Sequence, residues 1–127
     1  MRVTLVIGLP ASGKSTWARA QYPSATILDD PKELGEVDRA MSEMPAHLVI
    51  IDQNLCDPFV ERAASEILDE IAEVDKVYFE NDVEACFNNA RARLEREPEK
   101  TVEGQITQLS RLYDPPRVDV RVWRPEE

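Results

Sequence analysis

The most informative feature of the sequence is a glycine-rich stretch that matches the pattern G-x-x-x-x-G-K-[ST] at every defined position: Gly8-Leu9-Pro10-Ala11-Ser12-Gly13-Lys14-Ser15-Thr16. Gly8 and Gly13 permit backbone angles and close approaches that a side chain would obstruct. The backbone N–H groups of such a loop, with the amino end of the helix that follows, converge on an anion. In this pattern the lysine, Lys14, reaches the β- and γ-phosphates of a nucleotide, and the hydroxyl of Ser15 binds Mg²⁺. We therefore expect a nucleoside-triphosphate site built by Gly8 and by the run from Pro10 to Thr16.

The residues on either side of this stretch support that interpretation. The apolar residues 3–7 predict a strand that ends at Gly8, and a helical pattern begins at Lys14 and continues to Gln21. A glycine-rich turn that binds nothing is the alternative. The order strand, loop, helix favours the phosphate-binding loop, or P-loop, because that order is the structural context the pattern requires.

Three acidic side chains follow two further predicted strands. Asp29 and Asp30 come after residues 25–28, and Asp52 comes after residues 47–51. Open α/β sheets bind ligands at the carboxyl ends of their strands, so one acid of the pair could accept the proton of an attacking hydroxyl. The alternative is that the pair only ends the strand and caps a helix. Asp52 stands where P-loop enzymes place the acid that holds Mg²⁺ or its waters, and a buried structural acid is the alternative there.

Basic residues follow the fourth predicted strand, on a helix and its trailing end: Arg91, Arg93 and Arg96. At ~100° per residue, Arg91 and Arg93 flank opposite borders of the apolar stripe of this helix. They cannot both reach one phosphate unless the helix breaks, so we expect at least one of them to be a solvated surface charge. The polar residues 95–100 that follow are typical of a mobile lid.

Short apolar runs alternate with longer helical patterns along the chain. We predict five strands, at residues 3–7, 25–28, 47–51, 76–79 and 118–122, with helices between them. The last of these alternates apolar and polar residues after a break at Pro115 and Pro116, as strands at a sheet edge do. The pattern predicts an α/β, three-layer P-loop NTPase fold with a mainly parallel five-stranded sheet and an α-helical lid. No repeat or linker divides the chain, so we expect a single domain over residues 1–127.

The composition limits the classes of partner. The chain has 15 Lys and Arg against 25 Asp and Glu, a formal net charge of -10. A diffuse basic surface that binds nucleic acid by neutralising phosphates is therefore not expected, and a phosphate-bearing ligand needs a local device. The sequence has no apolar run long enough for a membrane and no signal-peptide pattern, while Cys56 and Cys86 lack the spacing of a zinc or redox pair. We expect a cytoplasmic protein with reduced thiols.

Two other classes of P-loop protein fit the sequence poorly. A GTPase needs an Asn-Lys-x-Asp element after a later strand, but the corresponding segment is Glu80-Asn81-Asp82, which has no lysine. A large ring ATPase needs a longer chain. A kinase needs an acid for the acceptor hydroxyl, an acid near the metal and arginines over the phosphates, and the sequence offers a candidate for each.

Several segments together resemble the kinase domain of the phage polynucleotide kinase family. The P-loop and the Ser15-Thr16-Trp17-Ala18-Arg19 run that continues it resemble the opening of that domain, and Asp29-Asp30 resembles its acidic pair. Further resemblance lies in the run from Ile50 to Leu55, in Phe79-Glu80 with the arginine-bearing helix after it, and in the run from Leu109 to Tyr113. The similarity spans most of the chain, but only the P-loop is highly specific by itself.

This resemblance implies transfer of the γ-phosphate of ATP to a 5′-hydroxyl of DNA or RNA, with Mg²⁺ as cofactor. It implies that Asp29 is the general base, Asp52 the second essential acid and Arg93 the lid arginine, beside Lys14. We also expect acceptor contacts from residues near these positions, namely Asp30, Lys32, Asn54 and Arg91. The family has an arginine where this chain has Lys32, and a lysine cannot form the planar bidentate clamp on the acceptor's phosphate.

The sequence leaves two alternatives to a kinase of nucleic-acid 5′ ends or nucleotides. The first is a P-loop kinase of a small metabolite or a modified nucleobase, which the acidic charge favours. The second is a nucleotide-binding switch module without catalysis. Acids after both the second and third strands, together with the arginines, argue against the switch.

Overall fold

The computed structural model describes residues 1–95 and 102–125 of the chain. Its elements alternate between strand and helix, as the sequence predicts. The strands are β1 (Arg2–Ile7), β2 (Thr26–Asp29), β3 (His47–Ile51) and β4 (Glu73–Tyr78). The helices are α1 (Lys14–Gln21), α2 (Leu34–Ser42), α3 (Pro58–Asp69), α4 (Val83–Leu94) and α5 (Glu103–Leu112), with a 3₁₀ turn at Gln53–Cys56.

The helix starts follow from local chemistry in the sequence. The Asp57 carboxylate accepts a hydrogen bond from the Phe59 N–H, and Pro58 occupies the first helical position of α3. Asp82 caps α4 in the same way by accepting from the Ala85 N–H. At α2, Glu33 and Glu36 form a reciprocal capping box. These caps fix where each helix leaves the loop that follows a strand.

The sheet is parallel and has the strand order β2-β3-β1-β4. The register pairs Val6 with Ile51 in β3 and with Val77 in β4, so β1 lies in the interior of the sheet. Because all pairings are parallel, the carboxyl ends of the four strands meet at one edge. That edge is where open α/β sheets bind their ligands.

Two apolar cores lie on opposite faces of the sheet. Val3, Leu5 and Ile7 of β1 belong to one core, and Val6 belongs to the other. The alternation of side chains along a strand separates them in this way. The first core also contains apolar residues of α2, α3, α4 and α5, and the second contains Ala18 of α1. The result is the three-layer arrangement that the sequence predicts.

The expected five-stranded sheet is wrong for the described residues, which form four strands. Residues 118–122 contribute only an isolated bridge between Phe79 and Val120. Side chains take hydrogen bonds that a full ladder would use: the Asp119 carboxylate accepts from the Tyr78 N–H at 2.9 Å, and the Glu80 carboxylate accepts from the Val122 N–H at 3.2 Å. The alternating pattern is real, but polar neighbours prevent a regular strand from forming.

The predicted lid falls largely outside the described part of the chain. Arg96 and the residues up to 101 lie outside it, whereas Arg91 and Arg93 lie on α4. Within the described residues, no helix is both long and apolar enough to cross a membrane.

Candidate active site

A cavity of about 880 Å³ opens at the carboxyl edge of the sheet. It brings the P-loop and the acidic pair together with residues from α4, α5 and the carboxy-terminal segment. Its lining consists of Pro10, Ala11, Ser12, Gly13, Lys14, Ser15, Thr16, Asp29, Asp30, Lys32, Ile51, Gln53, Asn89, Arg93, Val102, Gln105 and Trp123.

The P-loop leaves β1 and enters α1 through a backbone that ordinary residues rarely adopt. Gly13 has a φ of 94°, and Ala11 has a φ of 63° although it carries a side chain. A Cβ on Gly8 would lie 2.8 Å from the Cβ of Phe79, and one on Gly13 would lie 2.8 Å from the Cβ of Trp123. Gly8 is not among the cavity-lining residues. Its importance is steric, because Phe79 lies too close to leave room for a side chain at this position.

Lys14 is buried at the base of this cavity. Only 8% of the residue is exposed, and its Nζ donates a hydrogen bond to the Leu9 carbonyl at 2.7 Å. Burial lowers the pKa of Lys14, while the nearby thiols and then the carboxylates of Asp29 and Asp30 act in the opposite direction. The loop therefore holds a cation whose charge is poorly solvated, and a bound anion would relieve that cost.

Two further polar atoms at the cavity have no hydrogen-bond partner in the described part of the chain. They are the Ser12 hydroxyl oxygen and the Arg93 Nε, and both atoms are buried. Buried polar groups are normally satisfied, so unpaired ones need an explanation such as a ligand that is not present. Both atoms belong to residues that line the cavity together with Lys14.

The acidic pair Asp29 and Asp30 also lines the cavity. The Arg19 guanidinium donates to the Asp29 carboxylate at 3.2 Å, and this ion pair is largely exposed. Asp30 has a φ of 54°, and its N–H donates to the Ile51 carbonyl at the end of β3 at 2.7 Å. Residues held in such backbone conformations cluster at functional sites, because the surrounding structure must stabilise them. The structure places both carboxylates and Lys32 on the cavity wall.

Asp52 is half-buried at the end of β3 and is not among the cavity-lining residues. Its carboxylate accepts a hydrogen bond from the Asn54 N–H at 2.9 Å. Burial raises the pKa of Asp52, the Asn54 N–H lowers it, and the charges of Asp30 and Lys14 then act in opposite directions. These couplings show that Asp52 lies within electrostatic reach of the site.

The residues present suit Mg²⁺ held jointly with a nucleotide. The described residues contain no group of three or more His, Cys, Asp or Glu that could hold a metal by themselves. Mg²⁺ usually keeps several waters and is bound by one or two protein oxygens plus phosphates. The Ser15 hydroxyl lines the cavity, and the Asp52 carboxylate is the nearby acid that could hold the ion's waters.

Two predicted acceptor residues lie elsewhere. Asn54 is exposed beyond the cavity lining, with its N–H bonded to Asp52. Arg91 is exposed, forms an ion pair with Glu103 at 3.5 Å and lies over the Phe87 ring. Of the two arginines on α4, only Arg93 reaches the cavity, in agreement with the expectation that one of them is a surface charge. The placement of Asn54 and Arg91 gives no support to their predicted roles.

Sequence reasoning missed four polar or aromatic residues of the cavity. Gln53 and Gln105 line the cavity, and the Gln53 amide donates to the Gln105 side-chain oxygen at 3.3 Å. Asn89 and Trp123 lie beside the P-loop. The position of Gln53 directly after Asp52 is a signal that could have identified it. Gln105, Asn89 and Trp123 sit in helices or in an irregular segment, and no local pattern distinguishes them.

These elements form an α/β fold with a parallel sheet that also occurs in a solved kinase structure. The chain is similar to the crystal structure of a gluconokinase from Sinorhizobium meliloti 1021, with a TM-score of 0.58 and 16% sequence identity. The match covers 97% of this chain and 83% of the gluconokinase. No protein-family profile and no curated protein sequence matches the chain. At this identity the similarity shows a shared fold, and the resemblance to the polynucleotide kinase family stays a prediction from the sequence.

Proposed function

We propose that this protein is an ATP- and Mg²⁺-dependent kinase that phosphorylates a hydroxyl group of a small metabolite. The observation that carries the proposal is one cavity that is lined by the P-loop with its buried Lys14, by Arg93 and by the acidic pair. The similarity to a gluconokinase, which is by name a small-molecule kinase, favours a metabolite over a nucleic-acid end.

We call the lining residues at the ends of β2 and β3 and on α5 the acceptor wall. The side chains of this wall suit a small polar substrate. Among the described lining residues the only aromatic one is Trp123, whose backbone N–H and Cβ contact the P-loop. The acceptor wall instead offers the carboxylates of Asp29 and Asp30 and the amides of Gln53 and Gln105. Such groups bind hydroxyls, whereas a nucleobase is commonly held by stacking. The net charge of -10 also opposes a long polyanionic acceptor.

The proposed reaction is a direct transfer. Asp29 orients the acceptor hydroxyl and takes its proton as the oxygen attacks the γ-phosphorus. The bond from that phosphorus to the bridging oxygen breaks, and ADP leaves with the electron pair. Lys14, Arg93 and the N–H groups of the P-loop stabilise the charge that develops on the phosphoryl oxygens. Bound Mg²⁺ supplies further neutralisation of that charge, with Ser15 and Asp52 as the residues that would hold it.

The proposal is tested by label transfer from γ-labelled ATP with Mg²⁺. The acceptor panel contains sugar acids, polyols, amino alcohols, nucleosides and oligonucleotides with a free 5′-hydroxyl, and a Lys14→Met variant is the control. We expect label in at least one non-nucleotide compound, with about 10²–10³-fold less in the control. Label only in oligonucleotides would restore the polynucleotide kinase interpretation. Tight ATP binding without transfer to any acceptor would favour the switch module.

A further inference from the structure

The side chain of Asn89 connects two segments that are far apart in the sequence. Asn89 lies on α4, and its Nδ2 donates to the Ala11 carbonyl at 3.0 Å and to the Trp123 carbonyl at 2.7 Å. Both N–H groups of one carboxamide are thus used on backbone oxygens. One of these oxygens belongs to the P-loop and the other to the carboxy-terminal segment, which we define as residues 118–125.

The carboxy-terminal segment contacts the P-loop at two further consecutive residues. The Trp123 N–H donates to the Ser12 carbonyl at 3.0 Å. The Cβ of Trp123 lies so close to Gly13 that an added Cβ there would approach it to 2.8 Å. With the Asn89 bridge to Ala11, three successive residues of the loop are fixed against this segment.

These contacts determine which way the peptide groups of the loop face. A peptide group is planar and trans, so its C=O and its N–H point in opposite directions. When Asn89 holds the Ala11 oxygen, the Ser12 N–H is directed to the other side. Likewise, when the Trp123 N–H holds the Ser12 oxygen, the Gly13 N–H points away from Trp123. The carbonyl oxygens of Ala11 and Ser12 would repel a phosphate. They are instead held in hydrogen bonds to Asn89 and Trp123.

The backbone at Ala11 shows why such contacts are needed. A φ of 63° is unfavourable for a residue with a side chain, and it persists only where neighbouring contacts hold it. The carboxy-terminal segment is itself anchored, since Arg124 pairs with Glu80 at 3.1 Å and the Val122 N–H donates to the same carboxylate. The anchoring therefore extends from the end of β4 through Trp123 and Asn89 to the P-loop.

We propose that Asn89 is a positioning residue for nucleotide binding, which holds the P-loop to the carboxy-terminal segment so that the Ser12 and Gly13 N–H groups face the phosphates before the nucleotide arrives. The inference rests on the proposed function, because it concerns the ATP site of that kinase. It adds a residue outside the sequence motif, and a segment near the end of the chain, to the machinery of the P-loop.

The chain offers a matched control for this role. Asn81 also donates its side-chain amide to two backbone carbonyls, those of Ser110 at 3.1 Å and Tyr113 at 2.9 Å, and it does not line the cavity. Asn88 is an exposed neighbour of Asn89 on the same helix. A purely structural role for Asn89 predicts that Asn89→Ala and Asn81→Ala behave alike, and a positioning role predicts that they differ at the nucleotide.

The test measures the Kd of Mg·ATP by calorimetry and the KM and kcat for ATP in wild type, Asn89→Ala, Asn81→Ala and Asn88→Ala. We expect Asn89→Ala to raise the Kd and KM for ATP about tenfold, because two hydrogen bonds that orient the loop are lost. The two control variants should stay within about twofold of wild type. Similar ATP affinities for Asn89→Ala and Asn81→Ala would overturn the inference.

A second readout separates this inference from the proposed function. In the unliganded protein, the amide resonances of Ser12 and Gly13 should shift in Asn89→Ala and remain in place in Asn81→Ala. If wild type does not bind ATP, the proposed function fails, while unshifted resonances in Asn89→Ala overturn the inference alone. If Asn89→Ala does not fold, Asn89→Ser replaces it, since a serine hydroxyl can donate to only one of the two carbonyls.

Discussion

The two walls of the cavity are built on different principles. The phosphate wall consists of backbone groups of the P-loop and the buried Lys14. It is held by contacts from Phe79 directly after β4, from Asn89 on α4 and from Trp123 in the carboxy-terminal segment. The acceptor wall consists of side chains at the ends of β2 and β3 and on α5, and Asp29, Asp30, Lys32 and Gln105 among them are exposed. A wall made of fixed backbone suits a ligand group that never changes, whereas exposed side chains can be exchanged without cost to the fold. We therefore expect changes on the phosphate wall to alter the stability of the protein, and changes on the acceptor wall to leave its stability unchanged.

The largest effect is expected for Lys14→Met, which should lower phosphoryl transfer by about 10²–10³-fold because a charge that stabilises the transferring group is lost. The variant should also be more stable than wild type. Burial lowers the pKa of Lys14 below its ordinary 10.5, so the folded state loses this proton at a lower pH than the unfolded state. Between the lowered pKa and 10.5 the unfolded state binds more protons than the folded state. The unfolding free energy of the wild type therefore rises as the pH approaches 10.5. Urea unfolding across this range should show that the contribution is missing in Lys14→Met.

Lys32→Met is the matched control for that change, because Lys32 lines the same cavity but is exposed. We expect its unfolding free energy to equal that of wild type within about 0.5 kcal/mol. A Lys14→Met protein that is less stable than wild type would show that the buried charge is better compensated than the structure indicates.

The next effect is expected at the acidic pair. Asp29→Asn should lower kcat by about 10²-fold, the lower end of the range for loss of a general base, and leave the Kd of Mg·ATP unchanged. Asp30→Asn, on the same wall, serves as the comparison and should have the smaller effect on kcat. Single-turnover label transfer measures both variants. A larger loss in Asp30→Asn would assign the base to Asp30, and an altered ATP affinity in Asp29→Asn would contradict the separation of the two walls.

A smaller effect is expected for Gln105→Ala. Loss of one hydrogen-bonding side chain should raise the KM for the acceptor by about three- to tenfold, with the KM for ATP and the unfolding free energy unchanged. Gln108, exposed on the same helix and absent from the cavity lining, provides the control variant Gln108→Ala. If both variants behave as wild type with the acceptor, the wall that faces the substrate does not include α5.

The smallest effect is expected for Ala11→Gly on the phosphate wall. Glycine adopts a φ of 63° without strain, so the unfolding free energy should rise by about 0.5–1 kcal/mol while ATP affinity stays the same. The control Ala63→Gly, at an exposed position in the interior of α3, should instead destabilise the protein by about 1 kcal/mol. Destabilisation by both changes would mean that Ala11 contributes packing that outweighs its backbone strain.

The sequence predicts those parts of the fold that local chemistry determines. Helix α1 (Lys14–Gln21) and strand β3 (His47–Ile51) begin and end where the patterns place them. The fifth strand is wrong because an alternating pattern does not reveal that Asp119 and Glu80 would take up the hydrogen bonds at that place. Strand formation there depends on polar groups about 40 residues apart in the chain, which periodicity does not report.

The residues of the candidate site also divide into those that the sequence predicts and those that it does not. The P-loop is predictable because an anion-binding loop requires its residue types and spacing, and the acids are predictable because they follow strands. Asn89 is not predictable, since its partner Ala11 is 78 positions away and an asparagine in a helix has no distinctive pattern. Asn54 and Arg91 were expected near the acceptor from sequence position alone, and the turn after β3 and the face of α4 direct them elsewhere.

The side chains that prevent a fifth strand also protect the exposed border of the sheet. The last strand in the order is β4, and an unpaired border strand invites pairing with another molecule. Here the Tyr78 N–H is occupied by Asp119, and the Lys76 carbonyl accepts from the Arg117 guanidinium at 2.9 Å. A foreign strand would have to displace this paired arginine and aspartate before it could align with β4. The irregular segment thus hinders aggregation through pairing of β4 with a strand of another molecule.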